Sequence, residues 1–205
     1  PTGGDLEYVD SVTLLRAFDE ALQQRRTAEW SALVSISLDD LTAVGDAFGY
    51  GKGEALLRHA STRLRKLGAP VRVVGHIATG VFGLLLGGLG HSREEAEAKT
   101  VAIAERALAS ICGSAVLGGG GESEHTATAG LRMYLPGEDG LDAEEAIKSA
   151  EIARKRALET RSSLCVFDQR MFEETRAQVD LLLDLRRGIA EGALCLYLQP
   201  IVDAN

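Results

Sequence analysis

Few residues of this 205-residue chain have the types and spacing that perform chemistry, and each has a structural role competing for it. Asp39-Asp40 follow the apolar run Ala32 to Leu38. Hard cations take carboxylates at strand ends, but the same pair suits the cap and first turn of a short helix. Gly49-Tyr50-Gly51-Lys52-Gly53 invites a phosphate-loop reading, yet Lys52 is followed by Gly instead of Ser or Thr, and the dinucleotide fingerprint also fails. It reads as a turn between helices. Gly118 to Gly121 join two apolar runs and read as a flexible hairpin tip. His59, His76, His91 and His125 share no metal-ligand spacing, and Cys112, Cys165 and Cys195 each sit in an apolar run, as buried reduced thiols do. One stretch remains, His76 to Phe82, a short Gly-containing connection between Val71-Arg72-Val73-Val74 and Phe82-Gly83-Leu84-Leu85-Leu86. A hairpin turn of this kind at a sheet edge can offer amides and carboxylates to a phosphate, but this one carries no carboxylate.

The composition narrows the partners. With 45% hydrophobic and 25% charged residues, 23 Gly and 4 Pro, the chain suits one medium-sized domain plus an appendage. Its formal charge is -8, from 22 Lys+Arg against 30 Asp+Glu, with no basic stripe interleaved with aromatics, which argues against nucleic acid. No run reaches the roughly 18 apolar residues of a membrane span, and Pro1 to Asp5 show no basic region followed by an apolar core. A cytoplasmic protein without direct membrane contact is expected. The abrupt start, and an end inside the apolar run Leu194 to Val202, suggest a piece of a longer chain.

The elements that would position these residues follow from periodicity. Asp10 caps a helix with Val12, Leu15, Phe18 and Leu22 on its apolar face. Ala32 to Leu38 is a buried strand, and Leu56, Leu57, Ala60, Leu64 and Leu67 mark a helix from about Glu54. Ser92 with Glu95, and Asp142 with Glu145, are capping boxes opening helices lined by Val101, Ala104, Leu108 and Ile111, and by Ala146, Ala150, Ala153 and Ala157. Ala115 to Leu117 and Thr126 to Leu135 are expected to pair as a second hairpin, and Leu164 to Phe167 as a last strand. Beyond Asp168 one long amphipathic helix carries Phe172, Val179, Leu182, Leu183, Leu185 and Ile189. The predicted fold is α/β, an α+β sandwich of a mixed sheet flanked by helices.

This order, with several local strings, resembles the GGDEF family, the bacterial diguanylate cyclase domain, over residues 10–168. Ile36-Ser37-Leu38-Asp39-Asp40-Leu41 is similar to its first strand-to-helix segment, and Phe48 to Leu57 to its phenylalanine-glycine-histidine to glycine-aspartate segment. The signature hairpin falls on Ala78-Thr79-Gly80-Val81-Phe82. The tail, Leu194 to Asp203, resembles the first strand of an EAL domain, the cyclic di-GMP phosphodiesterase and receptor module. The resemblance implies a nucleotidyl-cyclase-palm-like sheet and four segments: an extension over 1–9, the domain over 10–168, a linker helix over 169–192, and the start of an EAL domain over 193–205.

The resemblance also implies which residues should act. The family's metal-binding carboxylates correspond to Ser37, Gly80 and Val81, so no catalytic residue and no metal or other cofactor is expected. The glycines that leave room for phosphates become Ala78 and Thr79, the guanine-reading asparagine becomes Gly45, and two basic positions become Thr42 and Ala157. Glu54 and Arg161 remain as nucleotide-binding candidates, while the inhibitory-site arginine and aspartate fall on Ala69 and Arg72 and are lost. The expected function is an inactive regulatory and dimerisation module, a homodimer whose partner is its own EAL domain. Two other readings are a GTP-binding allosteric domain acting on an EAL phosphodiesterase, and an active cyclase with its metal site moved to Asp39 and Asp40.

Overall fold

A computed structural model describes residues 8–23, 29–39, 41, 50–117, 121–138 and 141–193. Six strands form one mixed sheet in the order β1-β3-β4-β2-β7-β8. They are β1 (Tyr8–Val9), β2 (Ser31–Leu38), β3 (Val71–Ala78), β4 (Val81–Leu86), β7 (Ala127–Tyr134) and β8 (Leu164–Val166). The outer pairs β1/β3 and β7/β8 are parallel, and the inner pairs are antiparallel. The hairpin β3–β4 therefore lies within the sheet and not at its edge. A separate ribbon pairs β5 (Gly113–Leu117) with β6 (Gly121–His125).

The sheet's alternation decides what packs where. Ala32, Val34, Ile36 and Leu38 of β2, with Phe82, Leu84 and Leu86 of β4 and Ala129, Leu131 and Met133 of β7, face one cluster. That cluster is closed by α2 (Tyr50–Leu64) and α3 (Arg93–Ile111) through Leu56, Ala60, Leu64, Ile103 and Ala104. The odd positions Leu33 and Leu85, with Tyr134, face α1 (Ser11–Gln23) and α4 (Ala143–Glu159), meeting Phe18, Leu22, Ala146 and Ala150. A strand buried on both faces must be apolar nearly throughout, as β2 is.

The caps behave as the sequence leads one to expect. Asp10 accepts the Thr13 amide at 2.8 Å, Ser92 that of Glu95 at 3.1 Å, and Asp142 that of Glu145 at 2.7 Å. Four expectations are corrected. Val12 is 73% exposed, and Leu14, one turn before Phe18, takes its place in the core. Gly51 and Gly53 lie inside α2 instead of in a turn, because the helix starts at Tyr50; Gly49 lies outside the described residues. The partner of β5 is the polar segment Gly121–His125, not residues 126–135. Those later residues, buried nearly throughout, are drawn into the sheet as β7 between β2 and β8. The two described cysteines, Cys112 and Cys165, are free but only half-buried, and Cys195 lies outside the described residues.

The chain divides into two units, residues 1–168 and 169–205. The second is described through residue 193 and consists of α5 (Gln169–Ala190), whose Val179, Leu182, Leu183 and Ile189 are not buried. Among the described residues no helix is long and apolar enough to cross a membrane.

Helix α4 lies directly against β7 at Gly130, where a Cβ would collide with the Ala150 carbonyl oxygen and the Arg154 amide nitrogen. Both obstacles are backbone, so neither can swing away. Gly130→Ala is expected to destabilise the domain by about 3 kcal/mol, the upper range for overpacking, read as a lowered urea midpoint at unchanged slope.

Candidate functional site

The signature hairpin is built by register. Ala78 pairs with Val81, leaving Thr79-Gly80 as a two-residue connection, and Gly80 has φ +75 while Thr79 keeps an ordinary negative φ. This is the sign pattern of a type II turn, which needs glycine at its third position. Phe82 is fully buried, and the His76 ring stacks on it across the strand pair, 5.4 Å between centroids. These contacts hold the turn where it is.

Pairing of β4 with β2 then sets Ser37 opposite Val81, and the Leu38 amide donates to the Gly80 carbonyl at 3.0 Å. The structure thus brings Ser37, Gly80 and Val81 together. None of them can supply a carboxylate. Among the described residues Ser37 Oγ reaches the neighbouring Leu38 carbonyl, at 3.5 Å. A Cβ on Gly80 would lie 2.7 Å from Leu41 Cδ2, so leucine occupies the space beside the turn.

Asp39 is the nearest carboxylate in sequence, and it is engaged elsewhere. Thr126 Oγ1 donates to its Oδ2 at 3.0 Å and Thr128 Oγ1 to its Oδ1 at 2.8 Å. The carboxylate therefore ties the end of β2 to the start of β7; the helix it was expected to cap lies largely outside the described residues. Asp40, Thr42 and Gly45 lie outside the described residues. Among the described residues no three His, Cys, Asp or Glu side chains gather as a metal site.

The remaining candidates are dispersed. Glu54, on the exposed side of α2, pairs with Arg58 one turn on, at 3.5 Å. Arg161 follows α4 in the left-handed conformation, φ 54, its amide donating to the Leu158 carbonyl at 3.2 Å. Ala157 is fully buried against the sheet, so a lysine there would need a different helix position. Ala69 and Arg72 are both exposed.

One cluster escapes sequence reasoning because its members are far apart in the chain. Ser35 of β2 donates to Glu151 of α4, and Arg154 Nη2 donates to the other carboxylate oxygen at 2.7 Å. The pair is largely enclosed, with Arg154 at 12% and Glu151 at 24% side-chain exposure. Burial pushes the Glu151 carboxyl up, but the hydrogen bonds from Arg154 and Ser35 and the Arg154 and Lys155 charges together carry it below its ordinary value. Burial also pushes the Cys112 and Cys165 thiols up, as befits unreactive cysteines.

A mixed sheet with helices on both faces and this interior hairpin is the GGDEF architecture. The chain matches the family described as diguanylate cyclase, GGDEF domain, over residues 11–163, and it belongs to that family. A short second match, to the RecR C-terminal family, covers residues 1–20. Among curated relatives, the chain is 30% identical over 190 residues to the bifunctional diguanylate cyclase/cyclic di-GMP phosphodiesterase MucR of Pseudomonas aeruginosa, covering 90% of this chain and 26% of that protein. It is 28% identical over 189 residues to an uncharacterized signaling protein of Caulobacter vibrioides, covering 87% of this chain and 21% of that one. The chain thus spans about a quarter or less of the length of these relatives. Among solved structures, the GGDEF domain of Pseudomonas aeruginosa TpbB (YfiN) superposes with TM-score 0.70 at 19% identity, covering 82% of this chain and 94% of that one. An EAL/GGDEF domain protein from M. capsulatus gives TM-score 0.60 at 21% identity, covering 73% and 92%. At these identities the two structures show the fold.

Two predictions follow from the geometry. Gly80→Ala is expected to cost about 1–2 kcal/mol from the left-handed backbone alone. The Leu41 contact should add to this, so the same change in a Leu41→Ala background costs less; paired denaturation curves measure the difference. Glu151 has a lowered folded-state pKa, so its stabilisation is complete above its unfolded value and fades as pH falls through the folded one. Glu151→Gln should therefore lose about 2 kcal/mol at neutral pH, and the gap to the parent should shrink below about pH 4, seen in denaturation curves across pH.

Proposed function

We propose that residues 10–168 are a GGDEF domain without cyclase activity, acting as a regulatory and dimerisation module in cyclic di-GMP signalling. In this reading residues 169–192 are a linker helix and residues 193–205 begin an EAL domain, which is the module's partner in the same chain. Joining two GTP molecules requires a ribose hydroxyl to attack an α-phosphorus while two metal ions clamp the phosphates. The observation that carries the proposal is the convergence of Ser37, Gly80 and Val81 beside Leu41, where such ions would need carboxylates. Asp39, held by two threonine hydroxyls, is a poor substitute. The name of MucR joins a cyclase with a phosphodiesterase, and the M. capsulatus protein carries both domain names, which supports the tandem arrangement.

A second reading keeps GTP as an effector without turnover. It is motivated by Arg161, which stands where the resemblance places a triphosphate-facing arginine; its φ of 54 closes α4, with the Arg161 and Ser162 amides donating to the Leu158 and Ala157 carbonyls. Glu54 is exposed and free to exchange Arg58 for a base.

Incubating the purified protein with GTP and Mg²⁺ and chromatographing the products is expected to yield no cyclic di-GMP; a product peak overturns the main proposal. Calorimetry with GTP is expected to show no heat that depends on Arg161. Heat that disappears in Arg161→Gln would establish the second reading instead. In the longer protein, removal of residues 10–168 should change oligomeric state or the EAL domain's ligand affinity; if both stay the same, the regulatory role fails.

A further inference from the structure

A groove of about 940 Å³ lies between α2 and α3. Arg58, His59 and Arg63 of α2, Lys66 just beyond it and Arg106 of α3 line it. No carboxylate is among its lining residues, in a chain whose acidic residues outnumber the basic ones 30 to 22. Among the described residues Glu54, which does not line the groove, pairs with Arg58 at 3.5 Å. An acidic protein that gathers more cations than carboxylates in one concavity creates a local field opposite to its overall charge.

The groove's polar groups are unequal. Thr62 Oγ1 donates to the Arg58 carbonyl at 2.8 Å and Ser110 Oγ to the Ala107 carbonyl at 2.7 Å, so both hydroxyl protons are already used within their helices. Recognition is left to the cations. Arg106 Nη2 donates to the Leu67 carbonyl at 2.8 Å, which fixes its guanidinium across the end of α2 with other N–H groups in reserve. From Arg58 to Lys66 the cations run along roughly 12 Å of helix, further than one phosphate group reaches. No Phe, Tyr or Trp side chain lines the groove.

We propose that this groove binds a small oligophosphate anion, recognised through successive phosphate groups by Arg58, Arg63, Lys66 and Arg106. A linear tripolyphosphate carries the required chemistry by itself, and the phosphate tail of a nucleoside triphosphate carries it with a base attached. Arginine forks and a lysine ammonium along one groove match such a chain of oxygens. His59 reports on the site: burial and then the neighbouring Arg63 and His125 hold its imidazole below the ordinary value. The charged and titratable groups facing it are Arg58 and Arg63 of α2, Lys66, Arg106 of α3 and His125 of β6.

Calorimetry with sodium tripolyphosphate, and separately with GTP and ATP, tests the proposal on the purified protein. Binding of tripolyphosphate is expected, weakened roughly tenfold or more by R63Q/K66Q, whose targets are exposed and outside the core, and unchanged by R161Q. Raising the salt concentration should weaken it, and saturation should shift the His59 imidazole titration upward by NMR. ATP binding as well as GTP would agree with recognition through phosphates alone. The proposal is overturned if millimolar tripolyphosphate gives no heat, if R63Q/K66Q leaves affinity unchanged, or if the loss follows R161Q, which points to the nucleotide pocket of the second reading. Tighter binding of an oligoglutamate peptide than of tripolyphosphate would also overturn it, assigning the groove to an acidic protein segment.

Discussion

The pairing of β2 between β4 and β7 is the constraint on which the other features depend. Both of its edges are hydrogen-bonded along the strand and both of its faces are covered, so a slip of one residue would exchange two different cores at once. That register sets Ser37 opposite Val81 on one side and Thr128 on the other. It also places Ser35 under Glu151 and brings Asp39 to the threonines of β7. The polar residues of β2 are thus all on the α1/α4 side, while Ala32, Val34, Ile36 and Leu38 stay in the α2/α3 core.

Much of this was legible in the sequence wherever a local signal sufficed. Ser92 with Glu95 and Asp142 with Glu145 state their helix starts, and the runs at Ala32 and Phe82 state their strands. Phase was harder: Val12 and Leu14 differ by about half a helical turn, and only the sheet beneath decides which is buried. The Gly121–His125 strand was missed because Glu122, Ser123 and Glu124 carry no apolar alternation; its pairing is satisfied by backbone bonds of a two-stranded ribbon. The glycines at 51 and 53 suggested a break, but α2 is held by Leu56, Ala60 and Leu64 packing on the sheet, which outweighs the low helix propensity of its first turn.

The candidate site divides the same way. The convergence of Ser37, Gly80 and Val81 could be anticipated from the resemblance, whereas Leu41 filling the space beside Gly80 depends on a contact between distant segments. Asp39 was ambiguous in sequence because a carboxylate at a strand end suits a cation, a helix cap or a neighbouring hydroxyl equally well. The threonines that take it are 87 and 89 residues away in the chain. Arg58, Arg63 and Lys66 are close in the sequence, but their meaning depends on Arg106 arriving from α3.

The bare contact at Gly130 has a consequence for how the domain can move. Packed helices ordinarily slide over a sheet because interlocking side chains between them can change rotamer step by step. Between α4 and β7 no such layer exists at this point: main chain rests on main chain, flanked by the Arg154–Glu151–Ser35 hydrogen bonds. Helix and strand there behave as a single plate with no bearing surface. A slide of α4 along β7 would therefore have to lift the two backbones apart at Gly130, or carry β7 and its paired strand β2 with it.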